Sequence, residues 1–170
     1  EMQKFYDDWW EDASKEFEYS YIDIMPNISN TITAHDVQVS SITAWDQSVI
    51  RRGNTYELGK FYVNFKKSGE YKLTLRRWPK ESGLNLRDSI NDYVPATKNW
   101  DQQFNGKSMK ISSAFIKIGD KEYNLKISDK LNHASININI ESGKTTMEPG
   151  FILENGQASV AFYTDIDFLF

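Results

Sequence analysis

A chain of 170 residues is long enough for one domain with a sizeable core. With 39% hydrophobic and 26% charged residues it belongs with globular rather than disordered chains, and no apolar run nears the ~20 residues that span a bilayer, so membrane insertion is not expected. A net charge of −4 argues against nucleic acid as a partner, and the lack of cysteine excludes disulfides, cysteine-ligated zinc and a thiol nucleophile.

Residues 2–17 read as a helix. Phe5, Trp9, Ala13 and Phe17 recur at every fourth position and form one apolar stripe, while Tyr6 and Trp10 form a second, rotated stripe. Glu11 and Lys15 stand at the spacing of a favourable ion pair. Two stripes suggest a helix wedged between two bodies, with Tyr6 and Trp10 as domain-interface candidates; the alternative is a helix well buried on its own domain. The first residues, Glu1-Met2-Gln3, do not resemble a signal peptide, so the expectation is a cytosolic protein or an excised piece. Residues 1–18 are taken as a helix packing on the domain, and residues 19–170 as one β-sandwich domain.

Beyond the helix the pattern is β. Tyr21 to Met25 alternates and stops at Pro26-Asn27, and the β-branched stretch from Thr31 to Ile42 reads as extended with His35-Asp36 in its middle. Ala44 to Gln47 reads as a loop. Phe61, Val63 and Phe65 then alternate into Ser68-Gly69, and Tyr71, Leu73 and Leu75 alternate out of it, which predicts a hairpin with one buried face. Residues 82–108 are polar and irregular, longer than an ordinary connection, and carry Tyr93, Trp100 and Phe104. Short strands follow: one with Ala114, Ile116 and Ile118 on a face, a turn at Gly119-Asp120, a strand with Ile136, Ile138 and Ile140, and a turn at Ser142-Gly143. The next strand looks interrupted at Pro149-Gly150, and Asn155-Gly156 is a strong hairpin signal leading into 158–170. About nine or ten strands with little helix predict a mainly β fold, an antiparallel sandwich of jelly-roll type with one N-terminal α-helix.

Candidate chemistry is sparse. His133 falls in a turn and reads as surface. His35-Asp36 could orient a proton or ligate a metal, but neighbours on a strand face opposite ways and cannot chelate one ion, so a structural pair is favoured. No nucleophile elbow, Ser-His-Asp set or phosphate loop is present, and no metal site or catalytic residue is expected. Basic residues gather between Arg51 and Lys80 and read as a solvated face. Arg76 and Trp78 would share the outer face of their strand, where an indole beside a guanidinium could hold a sulfated sugar. Arg77 would share the core face, and the favoured reading is a lock onto a buried carboxylate, Asp36 or Asp46, with Trp78 covering the core edge.

Trp9-Trp10-Glu11-Asp12, Thr33-Ala34-His35-Asp36, Ala44-Trp45-Asp46-Gln47, Ile50-Arg51 and Leu75-Arg76-Arg77-Trp78-Pro79-Lys80-Glu81 follow one another in an order that resembles the C-terminal region of secreted bacterial arylsulfatases of the Bacteroidetes and Planctomycetes type. The specific part is the L-R-R-W-P-x-E segment. Val37 stands where that family usually has Trp, and Asp46 where it usually has Asn. The resemblance implies a periplasmic or secreted parent hydrolase whose catalytic domain carries the Cys/Ser-x-Pro/Ala-x-Arg signature, formylglycine and calcium. None of these is expected in this chain, since it has no such signature. It would be a non-catalytic accessory domain packed in cis against the sulfatase catalytic domain, shaping substrate access. The alternative is an autonomous carbohydrate-binding module for sulfated glycans, stacking sugars on Trp45, Trp78 and Trp100. Ligand or interface candidates are His35, Asp36, Trp45, Gln47, Arg76, Arg77, Trp78 and Trp100.

Overall fold

The computed structural model describes residues 2–16, 20–41, 43–44, 47–91, 105–127 and 131–170. The chain begins with helix α1 (Met2–Ala13), followed by a short 3-10 turn, Ser14–Glu16. The regular helix thus ends earlier than expected, and Glu11 and Lys15 form no ion pair; Lys4 pairs with Asp8 instead, at 2.7 Å. Among the described residues ten strands follow: β1 (Ile22–Ile24), β2 (Asn30–Thr33), β3 (Phe61–Phe65), β4 (Gly69–Arg76), β5 (Ile111–Ile118), β6 (Lys121–Lys126), β7 (Ala134–Ile140), β8 (Gly143–Leu153), β9 (Ala158–Val160) and β10 (Tyr163–Phe168). A second, short helix, α2 (Gln47–Arg51), precedes β3.

The strands form two sheets, as the alternation predicts. One has the order β1-β3-β8-β5-β6 with β9 added beside β8; the other has the order β2-β10-β4-β7. Pairing is antiparallel except between β1 and β3, which run parallel. The facing sides bury Phe61, Val63 and Phe65 of β3, Ala114 and Ile116 of β5, Tyr71, Leu73 and Leu75 of β4, and Ile166 of β10. Burial on alternate residues is what a strand with one covered face must show.

The largest correction concerns the expected hairpin at Ser68-Gly69. β3 and β4 do not pair. β3 lies in the first sheet beside β1 and β8, and β4 lies in the second beside β10 and β7. Residues 66–68 carry the chain across the core from one sheet to the other. The same is true at Ser142-Gly143, where β7 crosses to β8. The two crossings are laced together: Ser68 Oγ accepts from the Ser142 amide at 2.8 Å and donates to Glu141 Oε2 at 3.0 Å. Above them Phe65 and Tyr71 meet edge to face, with centroids 5.0 Å apart, one ring from each sheet. Gly69 is needed at this corner. A Cβ there would lie 2.4 Å from the Phe170 carbonyl oxygen, where the C-terminal end of the chain bonds back to Glu70. The expected hairpins at Gly119-Asp120 and Asn155-Gly156 are present, joining β5 to β6 and β8 to β9.

Two further expectations change. β8 is not interrupted at Pro149-Gly150. On the side of β8 away from β5, pairing with β3 runs as far as Met147, and pairing with β9 starts at Gly150. The missing N–H of Pro149 falls at this change of partner, while its carbonyl accepts from the Ala161 amide at 3.0 Å. Gly150 lies under the ring of Phe115, 2.4 Å from where a Cβ would stand. His35-Asp36 does not lie on a strand either. β2 stops at Thr33, and Ala34–Asp36 is a 3-10 turn that Asp36 holds by accepting from the Thr33 amide and hydroxyl, both at 2.9 Å.

α1 is unlike the rest. None of its residues is buried. The reading of a helix well buried on its own domain is therefore not what the structure shows; Phe5, Tyr6, Trp9 and Trp10 are all exposed, and Phe17 lies outside the described residues.

Candidate functional site

Three places gather the residues singled out by the sequence. The first is the end of β4. The strand stops at Arg76, so the alternation does not run on to Trp78, and the indole turns inward instead of sharing the outer face with Arg76. Arg77 is fully buried and Trp78 is 4% exposed. Among the described residues Arg77 finds no carboxylate. Its Nη1 donates to the Asp88 carbonyl at 2.8 Å, and its Nη2 donates to the carbonyls of Lys107 at 2.6 Å and Ile50 at 3.1 Å. The guanidinium carbon sits 4.4 Å from the centre of a Trp78 ring. Burial lowers the Arg77 pKa to about 10, opposed by the charge of Asp88, so the group stays protonated at neutral pH. The fork geometry of a guanidinium allows one side chain to hold three carbonyls from separate segments. Those segments are the end of α2, the turn at Asn85–Asp88 and the approach to β5. The lock expected of Arg77 exists, but it closes on backbone oxygens. Asp36 is occupied in its own turn, and Asp46 lies outside the described residues. Arg77 Nε and Trp78 Nε1 have no hydrogen-bond partner among the described residues. With its ring covered, Trp78 is not a surface on which a sugar can stack.

The second place is the outer face of the four-stranded sheet. Arg76 Nε donates to Asp165 Oδ2 at 3.0 Å, with the side chains 15% and 11% exposed, and Thr31 Oγ1 donates to Asp165 Oδ1 at 2.8 Å. Cross-strand register places Tyr163 between Arg76 and Thr33. His133, expected at the surface, is half-buried just before β7. Its pKa is lowered from 6.5, first by burial and then by the charges of Arg76 and Lys72, with Asp165 acting the other way. A base whose folded pKa is depressed binds fewer protons folded than unfolded, so stability falls as pH drops through the unfolded value of 6.5. His133→Gln is therefore expected to flatten the decline in thermal midpoint between about pH 7.5 and 5.5. A decline equal to that of the parent chain would show that His133 does not contribute.

The third place is α1. Tyr6 and Trp10 stack with centroids 6.3 Å apart and planes at 9°, and Trp9 touches both rings. Phe5 is 75% exposed, Tyr6 56%, Trp9 53% and Trp10 46%. Acidic residues Asp7, Asp8, Glu11 and Asp12 flank this aromatic surface.

No family model matches the chain, and no curated protein matches it.

Among the described residues the remaining candidates form no further group. His35 is exposed and sits apart in the 3-10 turn. Trp45 and Trp100 lie outside the described residues, as does the side chain of Gln47. Among the described residues no three His, Asp or Glu side chains are grouped to hold a metal, and no helix is long and apolar enough to cross a membrane. A cleft of about 830 Å³ opens between residues 53–55, 108–110 and the β8–β9 turn; its charged residues are Lys110 and Glu154. Sequence reasoning missed Asp165 and Tyr163. Their alternation with the apolar Ile166 and Phe168 marked them as outward-facing, but nothing local paired them with Arg76.

Proposed function

We propose that this chain is an accessory β-sandwich that docks through α1 against a second folded body, and that this body is the catalytic domain of a sulfatase-type hydrolase in the same polypeptide. The observation that carries the docking role is the helix itself. It displays four large aromatic side chains and buries none of its own residues. Contiguous apolar surface of this kind belongs to interaction sites. Aromatic anchors with a charged rim are what an interface core requires.

The identity of the partner rests on the resemblance of the L-R-R-W-P-K-E segment to the C-terminal region of secreted arylsulfatases. A scaffolding role for that segment is supported by Arg77, which bonds to three chain segments, and by Trp78, which is buried beside its guanidinium. In this reading bond cleavage, formylglycine and calcium belong to the partner domain, and the assembly works in the periplasm or outside the cell. The sandwich holds its shape beside the catalytic cleft and limits what enters.

The test is the gene that encodes this chain. Its coding sequence is expected to continue upstream into a domain with the Cys/Ser-x-Pro/Ala-x-Arg signature. The whole product should hydrolyse 4-nitrophenyl sulfate, and this chain alone should not. An upstream region lacking that signature, or turnover by this chain alone, would overturn the proposal.

A further inference from the structure

The outer face of the four-stranded sheet has a second feature, separate from the docking helix. A cleft of about 160 Å³ lies where β2, β10 and the end of β4 meet the Pro79–Glu81 turn. It is smaller than the 300–1,000 Å³ of pockets that hold drug-sized ligands, so its natural occupant is a single ring. Tyr163 and Pro79 give it apolar walls. The sheet contributes Arg76 and Asp165 to its lining and the turn contributes Lys80 and Glu81, so each supplies one cation and one anion.

From this we infer that the cleft binds one neutral pyranose ring, with Tyr163 as its platform. A sugar has an apolar C–H face and a rim of vicinal hydroxyls, and the cleft offers a counterpart to each. The aromatic wall meets the C–H face. The Arg76–Asp165 pair is already fixed by its own ion pair and by Thr31, and each member keeps capacity to spare. The Arg76 η nitrogens donate to nothing among the described residues. The carboxylate uses one acceptor site on each oxygen for the protein and retains another. A donor and an acceptor held side by side suit two adjacent hydroxyls, and the ordering is done before the ligand arrives. The balanced charge speaks against an anion as the preferred ligand. Burial and the charge of Glu81 raise the Tyr163 pKa above 10.0, so its hydroxyl stays neutral and able to hydrogen bond. This inference does not depend on α1 or on the identity of any partner domain.

The experiment is a ¹H–¹⁵N NMR titration of the chain with methyl β-galactoside, methyl β-glucoside, methyl α-mannoside and galactose 6-sulfate. At least one neutral glycoside is expected to saturate in the millimolar range, with shifts clustered on β2, β10 and the end of β4. Tyr163→Phe should retain binding, and Tyr163→Ala should weaken it roughly tenfold or more. Should the alanine variant lose its dispersed spectrum, Tyr163→Leu removes the ring while filling the space and should show the same loss. Three results would overturn the inference: no saturation by any neutral glycoside up to about 100 mM, shifts centred elsewhere, or salt-sensitive preference for the sulfated sugar.

Discussion

Arg77→Met is expected to lower the thermal midpoint by roughly 5–15 °C, the largest stability loss of any single change at the candidate sites. Two effects oppose each other. Removing a buried cation relieves a desolvation penalty, which the lowering of the Arg77 pKa to about 10 places on the order of 3 kcal/mol. Against this stand three hydrogen bonds from a charged donor, worth about 1.5–3 kcal/mol each. The bonds win, because their acceptors are backbone oxygens that no neighbouring substitution can replace. The Ile50 carbonyl keeps a second donor, the Gly53 amide at 3.2 Å, whereas among the described residues those of Asp88 and Lys107 have no donor but Arg77. A net loss of about 2–5 kcal/mol follows. Arg77→Lys keeps the charge but loses the fork, so an intermediate loss is expected. Thermal unfolding followed by circular dichroism makes the comparison. A methionine variant within about 2 °C of the parent would show that the three segments hold together without the guanidinium.

Trp9→Ser together with Trp10→Ser is expected to do the reverse, leaving stability unchanged while abolishing association. α1 buries nothing, so the midpoint should stay within about 2 °C of the parent. An exposed cluster of Phe5, Tyr6, Trp9 and Trp10 should drive the isolated chain to self-associate at tens of micromolar, because each indole can remove up to about 200 Å² of surface from water. Removing both should raise the dissociation constant by roughly a hundredfold, taking about tenfold for each anchor. Sedimentation velocity over a concentration series reads this directly. A parent chain that stays monomeric at all concentrations, or a variant that melts much earlier, would contradict the picture of a free docking helix.

Alternation made the strands legible, and turn chemistry made two hairpins legible. Asn155-Gly156 and Gly119-Asp120 each supply a glycine at positive φ, 82° and 55°, between strands of one sheet. Ser68-Gly69 looked the same and is not, for a physical reason. In a hairpin and in a crossing between facing sheets, Phe65 and Tyr71 both point into the core. Side-chain period alone does not separate the two, because the difference lies in which backbone groups pair, and those partners sit on β8 and β10, far along the chain. The same distance hid the ion pair of Arg76 with Asp165, which are 89 residues apart. Arg77 was readable as a buried cation needing partners, but among the described residues those partners are carbonyls and not the expected carboxylate. Carbonyls carry no sequence signature, and any residue can present one. His35-Asp36 was misplaced because β-branched neighbours favour strand, whereas Thr33 and Asp36 together stop one by bonding locally.

The docking role of α1 is tested most directly by hydrogen exchange in the full gene product compared with this chain alone. If the helix seats against a catalytic domain, the amides of residues 5–13 should exchange rapidly in the isolated chain and at least roughly a hundredfold more slowly in the full product, while β4 and β10 are protected in both. Equal, rapid exchange of α1 in the two forms would mean that the helix has no partner there.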